Sequence, residues 1–177
     1  MQQDIIKSLS SNQNHHKKQE EMLKLLYDAM YGVLHSSFVN LESSDFTSTS
    51  PFPHDQPHTL DSLSLIYENC ALFSDIYLRY PDMTESLYRK FKWADFSDLI
   101  KKSIQFCSES KEVFNSKNEH GKLLNLVMQE LQLIPKTPNY QNPYRKVLPT
   151  PKQKTDKKRE KKKLPRGPYI SKVKTEL

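Results

Sequence analysis

The most reactive side chains in this 177-residue chain are two cysteines, Cys70 and Cys107, and six histidines. Two thiols are too few for a disulfide framework or for a zinc site of the usual four-ligand type. Both lie on inferred apolar helix faces, where a cysteine ordinarily packs as a small hydrophobe. A disulfide between Cys70 and Cys107 is the alternative. It needs Cα atoms within about 7 Å, which sequence spacing does not decide. No basic partner stands out to make either one a catalytic thiolate. His54 and His58 are four residues apart, but Pro57 between them opposes the helix that would align them as metal ligands. They read as loop residues, and His15-His16 as a solvated patch. Acyl transfer requires a nucleophile, a base and an oxyanion site. The chain has no Gly-x-Ser-x-Gly and no glycine-rich nucleotide loop, and holds only 3 glycines. The residues therefore predict no enzyme, no metal and no cofactor.

Charge is segregated along the chain. Residues 145–177 carry 13 Lys/Arg against 3 Asp/Glu, whereas residues 1–144 carry 14 against 18. A mildly acidic body thus precedes a strongly basic tail. The tail's densest run is Lys157, Lys158, Arg159, Glu160, Lys161, Lys162 and Lys163. One reading is a nuclear or nucleic-acid-associated regulator that uses this run. The other is a solvated tail that meets acidic partners or anionic surfaces. No aromatic residue is interleaved in 152–163, so base stacking gains nothing there and nucleic acid is not the expected partner. The last four residues, Lys174, Thr175, Glu176 and Leu177, are one substitution away from the Lys-Asp-Glu-Leu retrieval signal of the endoplasmic reticulum. They predict capture by a retrieval receptor through the terminal carboxylate and Glu176. The first residues, Met1 to Lys7, lack the apolar run of a secretory signal, and no stretch approaches the ~20 apolar residues of a membrane span.

The elements that position these residues follow from apolar spacing. Met22, Leu23, Leu26, Tyr27, Met30, Val33, Leu34 and Phe38 share one helical face within a periodic segment from about Asp4 to Asn40. Its first half is weaker and suits narrow coiled-coil packing. Residues 43–58 form a loop that Pro51-Phe52-Pro53 pins to the body. Thr59 is an N-cap candidate for a second helix that buries Leu60, Leu63, Ile66, Tyr67, Cys70, Phe73 and Tyr77 and ends at Pro81. A short third helix begins at Asp82. A fourth, capped by Asp95, carries Phe96, Leu99, Ile100, Ile104 and Cys107, and a fifth runs from about Glu119 to Leu133. The expected fold is all-α, a small bundle of about five helices over residues 1–134. Residues 135–177 form a Pro/Lys-rich disordered tail. The aromatic stripe Phe73, Tyr77, Tyr80, Tyr88, Phe91, Trp93 and Phe96 reads as core, while Tyr27, Tyr31 and Tyr77 could offer hydroxyls at a partner groove.

An ordered set of short motifs resembles the coiled-coil domain-containing protein 134 family. It includes Pro51-Phe52-Pro53, Glu68-Asn69, Leu78-Arg79-Tyr80-Pro81, Phe106-Cys107, Val113-Phe114-Asn115, Met128-Gln129-Glu130-Leu131, Gln141-Asn142-Pro143-Tyr144 and the terminal Glu176-Leu177. The resemblance implies a non-catalytic adapter of the endoplasmic reticulum lumen, partly secreted. Its implied role is to assist folding and controlled N-glycosylation of a luminal Hsp90-type chaperone beside the translocon and oligosaccharyltransferase. It also implies damping of MAP kinase signalling. The family begins with a cleaved signal peptide, so the resemblance implies that this chain is a fragment or starts at a misassigned methionine. The family pattern has no cysteine at the position of Cys70, and its sequon near Cys107 is absent here, because no Asn-x-Ser/Thr occurs in the chain.

Overall fold

Six α-helices make up the regular structure of the described residues, 2–12, 15–110 and 119–145, of a computed structural model of the chain, and no strand occurs among them. They are α1 (Gln2–Ser11), α2 (His16–Ser43), α3 (Pro57–Arg79), α4 (Pro81–Phe91), α5 (Ala94–Glu109) and α6 (Glu119–Glu130). The all-α bundle expected from the sequence is therefore the fold. The sixth helix arises because the first periodic segment is broken in two. Asn12 turns its amide back to the Ser8 carbonyl (2.8 Å), and His15 leaves helical geometry at φ −124°, ψ 69°. The break lets Leu9 fold into the core at 1% exposure. Buried Gln19 then donates to the Leu9 carbonyl at 2.6 Å, satisfying an acceptor that the end of α1 leaves open. The weak first half is thus a separate helix docked on the body, not an extension of α2.

α2 buries Leu23, Tyr27, Met30, Leu34, Phe38 and Leu41 at the expected steps of three and four. α3 is the central element, touching α2, α4, α5 and α6. It buries Leu63, Ile66, Cys70, Phe73, Ile76, Tyr77 and Leu78, as a helix covered on several sides must. Leu26, Leu60, Tyr67 and Leu99 are only half-buried, on the margins of the faces assigned to them.

Helix starts differ from the sequence reading by a few residues. Gln56, not Thr59, precedes α3, because Pro57 supplies a preformed first position. Thr59 instead sits buried in the first turn, its hydroxyl 3.1 Å from Gln56 Oε1. Asp95 lies in the first turn of α5, where its charge suits the helix dipole without capping it. Pro81 ends α3 as expected and also starts α4. Asp75 and Arg79 form the expected i,i+4 pair at 2.8 Å.

Residues 135–145, which the sequence assigns to the tail, are tied across the body. Gln129 Oε1 accepts from the Thr137 backbone (2.9 Å), Tyr140 donates to the Leu126 carbonyl (3.3 Å), and Asn142 donates to the Leu78 carbonyl (2.7 Å). Arg145 closes the segment with two bonds to Asp82, and the Arg79 guanidinium lies 5.2 Å from the Tyr144 ring centre. Prolines keep the segment non-helical, yet side-chain amides and hydroxyls hold it in place.

Candidate interaction surface

The aromatic stripe lies in and around the core, as its spacing predicts. Tyr27 packs between Phe73 and Phe96, with ring centres 5.7 and 5.4 Å away. Trp93 stands edge-on to Phe96 and stacks on Phe91. Two of the three tyrosines considered for a groove are buried. The Tyr27 hydroxyl bonds to Thr84 Oγ1 at 2.8 Å, and Tyr77 donates to Glu85 at 2.9 Å. Burial pushes both phenols well above the usual tyrosine range, and the adjacent Glu85 carboxylate raises Tyr77 further. Only Tyr31 reaches the surface.

Tyr31 lies on the open side of α2. That side carries Leu25, Ala29, Gly32, Ser36 and Val39, all exposed and spaced four-three-four-three, as in a coiled-coil seam. Leu25 is 69% exposed and Val39 51%, and a Cβ placed on Gly32 would meet nothing within 4 Å. The seam belongs to the second half of the first periodic segment, whereas the sequence reading put coiled-coil character in the first. Beside it, a notch of about 240 Å³ is bounded by Asp28, Tyr31, Trp93, Asp95 and Phe96.

A larger hollow of about 400 Å³ lies under the loop between α2 and α3. Phe46, Phe52, Leu63 and Tyr67 supply apolar walls, and Glu109 supplies a carboxylate. Phe46 and Phe52 are half-buried and Pro53 is buried, so the loop is pinned as its sequence predicts. Ser48 donates to Glu109 at 2.6 Å and Gln105 at 3.0 Å, which holds the carboxyl below its usual range. The hollow therefore joins apolar surface to one ionised carboxylate held by the Ser48 hydroxyl and the Gln105 amide.

Cys70 and Cys107 are free thiols, both buried, and are neighbours in the core. Burial pushes the Cys107 thiol well up, which is the opposite of what a nucleophile needs. His54 stays in the loop against the Phe52 ring, while His58 falls in the first turn of α3. Among the described residues no group of three His, Cys, Asp or Glu is placed to hold a metal ion, and no helix is long and apolar enough to cross a membrane. The basic run at Lys157, Lys158, Arg159, Lys161, Lys162 and Lys163 lies outside the described residues. So does the retrieval-like ending Lys174, Thr175, Glu176 and Leu177.

Fold and surface together define a small all-α protein with open apolar and aromatic patches. A family model described as an inhibitor of the ERK and JNK pathways matches residues 1–171, and the chain belongs to that family. A Xenopus tropicalis protein named coiled-coil domain-containing protein 134 is 31% identical over 129 residues, covering 72% of this chain and 54% of its own length. The mouse protein of that name is 27% identical over 186 aligned positions, covering 97% of this chain and 79% of its own. The family resemblance drawn from the ordered motifs is thereby established, although the chain spans only about half of the frog relative. No solved structure matches the chain.

Proposed function

We propose that this chain is a non-catalytic adapter of the secretory pathway that damps ERK and JNK signalling by binding partners rather than by turning over a substrate. The family match over residues 1–171 carries the damping of ERK and JNK signalling, and the retrieval-like ending supports the secretory pathway as its setting. The open α2 seam, the aromatic notch and the loop hollow are the surfaces where the body can meet a partner. In the lumen of the endoplasmic reticulum, the adapter assists folding and controlled glycosylation of an Hsp90-type chaperone near the translocon and oligosaccharyltransferase. A fraction escapes to the cell exterior. Within the secretory pathway, Glu176 and Leu177 are read by a retrieval receptor that returns the rest to the lumen.

The experiment supplies an entry signal and compares the chain with a form carrying one extra glycine after Leu177. The extension displaces the carboxylate that the receptor grips. The native ending should hold most of the protein inside cells, and the extended ending should release it to the medium. Crosslinking with mass spectrometry on the retained form should recover the chaperone. Equal secretion of the two forms overturns the retrieval reading. Nuclear accumulation of the chain made without an entry signal, lost when residues 152–163 are deleted, favours the alternative regulator.

A further inference from the structure

Cys70 lies in the middle of α3, and Cys107 in the last turn of α5. The two helices pack directly on each other. The cysteines are 1% and 0% exposed, and they are neighbours in the core, where burial first and the Cys70 thiol second push the Cys107 thiol up. Thirty-six residues separate them in sequence, so only the packing of α5 on α3 makes them neighbours. Neighbouring thiols on two packed helices can be joined where side-chain rotation brings the sulfurs to the bond length of about 2.05 Å. The surroundings set when that can happen. In the finished core neither thiol is open to solvent and the Cys107 thiolate is disfavoured, so exchange there is slow. During folding, both sulfurs meet solvent until α5 has docked.

We propose that Cys70 and Cys107 are a covalent staple site, closed when the chain folds in the presence of a disulfide oxidant of the glutathione class and left as two thiols when it folds reduced. The thiolate of one cysteine attacks the oxidant's disulfide, forming a mixed disulfide and releasing one small thiol. The second cysteine attacks the protein sulfur of that mixed disulfide and releases the second small thiol. Two S–H bonds are replaced by one S–S bond, and the oxidant carries away both electrons and both protons. The staple would fasten the end of α5 to the central helix, beside the hollow that Glu109 borders. The inference does not depend on the compartment or partners proposed above, because it concerns only the conditions of folding.

The test refolds the full chain from denaturant in two buffers, one with reduced and oxidised glutathione and one with excess dithiothreitol. Intact mass, thiol titration and melting are then measured without reductant. The glutathione-refolded monomer should be lighter by two hydrogen atoms and titrate no thiol. It should melt about 10 °C higher, from the loop entropy removed by closing a loop of this size. Cys70→Ala and Cys107→Ala should each retain one titratable thiol and melt alike after either refolding. Two free thiols after glutathione refolding would overturn the proposal. Separate glutathione adducts on each cysteine, disulfide-linked dimers, or an oxidant-dependent melting gain that survives in either alanine variant would overturn it too.

Discussion

Thr84→Val should cost more stability than Tyr27→Phe, although the two residues share one hydrogen bond. Tyr27 has no exposed surface, and its hydroxyl reaches Thr84 Oγ1 at 2.8 Å. Thr84 in turn donates to the Tyr80 carbonyl at 3.1 Å, so the bond runs from Tyr27 through Thr84 to the α3–α4 junction. Removing the phenol hydroxyl deletes one bond and leaves Thr84 with its other partner, a loss of about 1 kcal/mol. Replacing Thr84 by valine keeps the volume but strands the Tyr27 hydroxyl in a dry core, a cost of roughly 2–3 kcal/mol. The double variant removes both polar groups, so it should be more stable than the summed single losses by about 1–2 kcal/mol. Urea denaturation of the four proteins measures the cycle, and thermal melts should follow at about 2–4 °C per kcal/mol. Additive losses, or a larger loss for Tyr27→Phe, would refute the idea that the connected hydroxyls act as one unit.

Three further outcomes follow from neighbouring groups. The Tyr88 hydroxyl is buried with no hydrogen-bond partner, so Tyr88→Phe should leave urea stability unchanged or raise it by up to about 1 kcal/mol; a clear loss would reveal a partner. Burial holds the Tyr27, Tyr77 and Tyr88 phenols neutral in the folded chain. In the unfolded chain they ionise near the ordinary value of about 10. Stability should therefore be full below that pH and fall as pH rises above it, by up to about 1.4 kcal/mol per pH unit for each phenol. Denaturation midpoints between about pH 8 and 11 test this, and Tyr27→Phe should make the decline shallower; an unchanged slope would contradict it. Asn142→Ala removes the bond to the Leu78 carbonyl and the acceptor for the Tyr144 backbone, so limited proteolysis should open residues 135–145 while the helices stay protected; equal cleavage would show that the amide does not hold the segment.

Local periodicity made the bundle legible. The α2 face, the end of α3 at Pro81 and the buried places of Phe73 and Phe96 follow from spacing and from proline geometry alone. What the sequence hid depends on long-range pairing. The break before α2 is settled by Gln19 capturing the end of α1 once Leu9 is buried. A single helix through that region has the same local pattern. Residues 135–145 read as a tail because prolines and polar residues predict irregular chain. They do not predict that Asn142 will find Leu78 across 64 positions. Tyr27 and Tyr77 looked suited to a groove because a phenol serves core and surface equally well, and Thr84 and Glu85 on α4 decide the matter. The exposed seam on α2 carried a weak signal, since Ala29, Gly32 and Ser36 between Leu25 and Val39 are too small to stand out as apolar. The nearness of Cys70 to Cys107 in the core had none.

The most direct measurement is ERK and JNK phosphorylation in stimulated cells that receive the chain with an entry signal, compared with cells that receive Phe73→Asp at equal expression. Phe73 has no exposed surface, so an unpaired carboxylate there should unfold the body. The intact chain should lower phosphorylation of both kinases in proportion to its amount, as a binding protein does, and the unfolded variant should not. Phosphorylation that is unchanged by the intact chain, or lowered equally by Phe73→Asp, would contradict the reading of the folded body as a damper of these pathways.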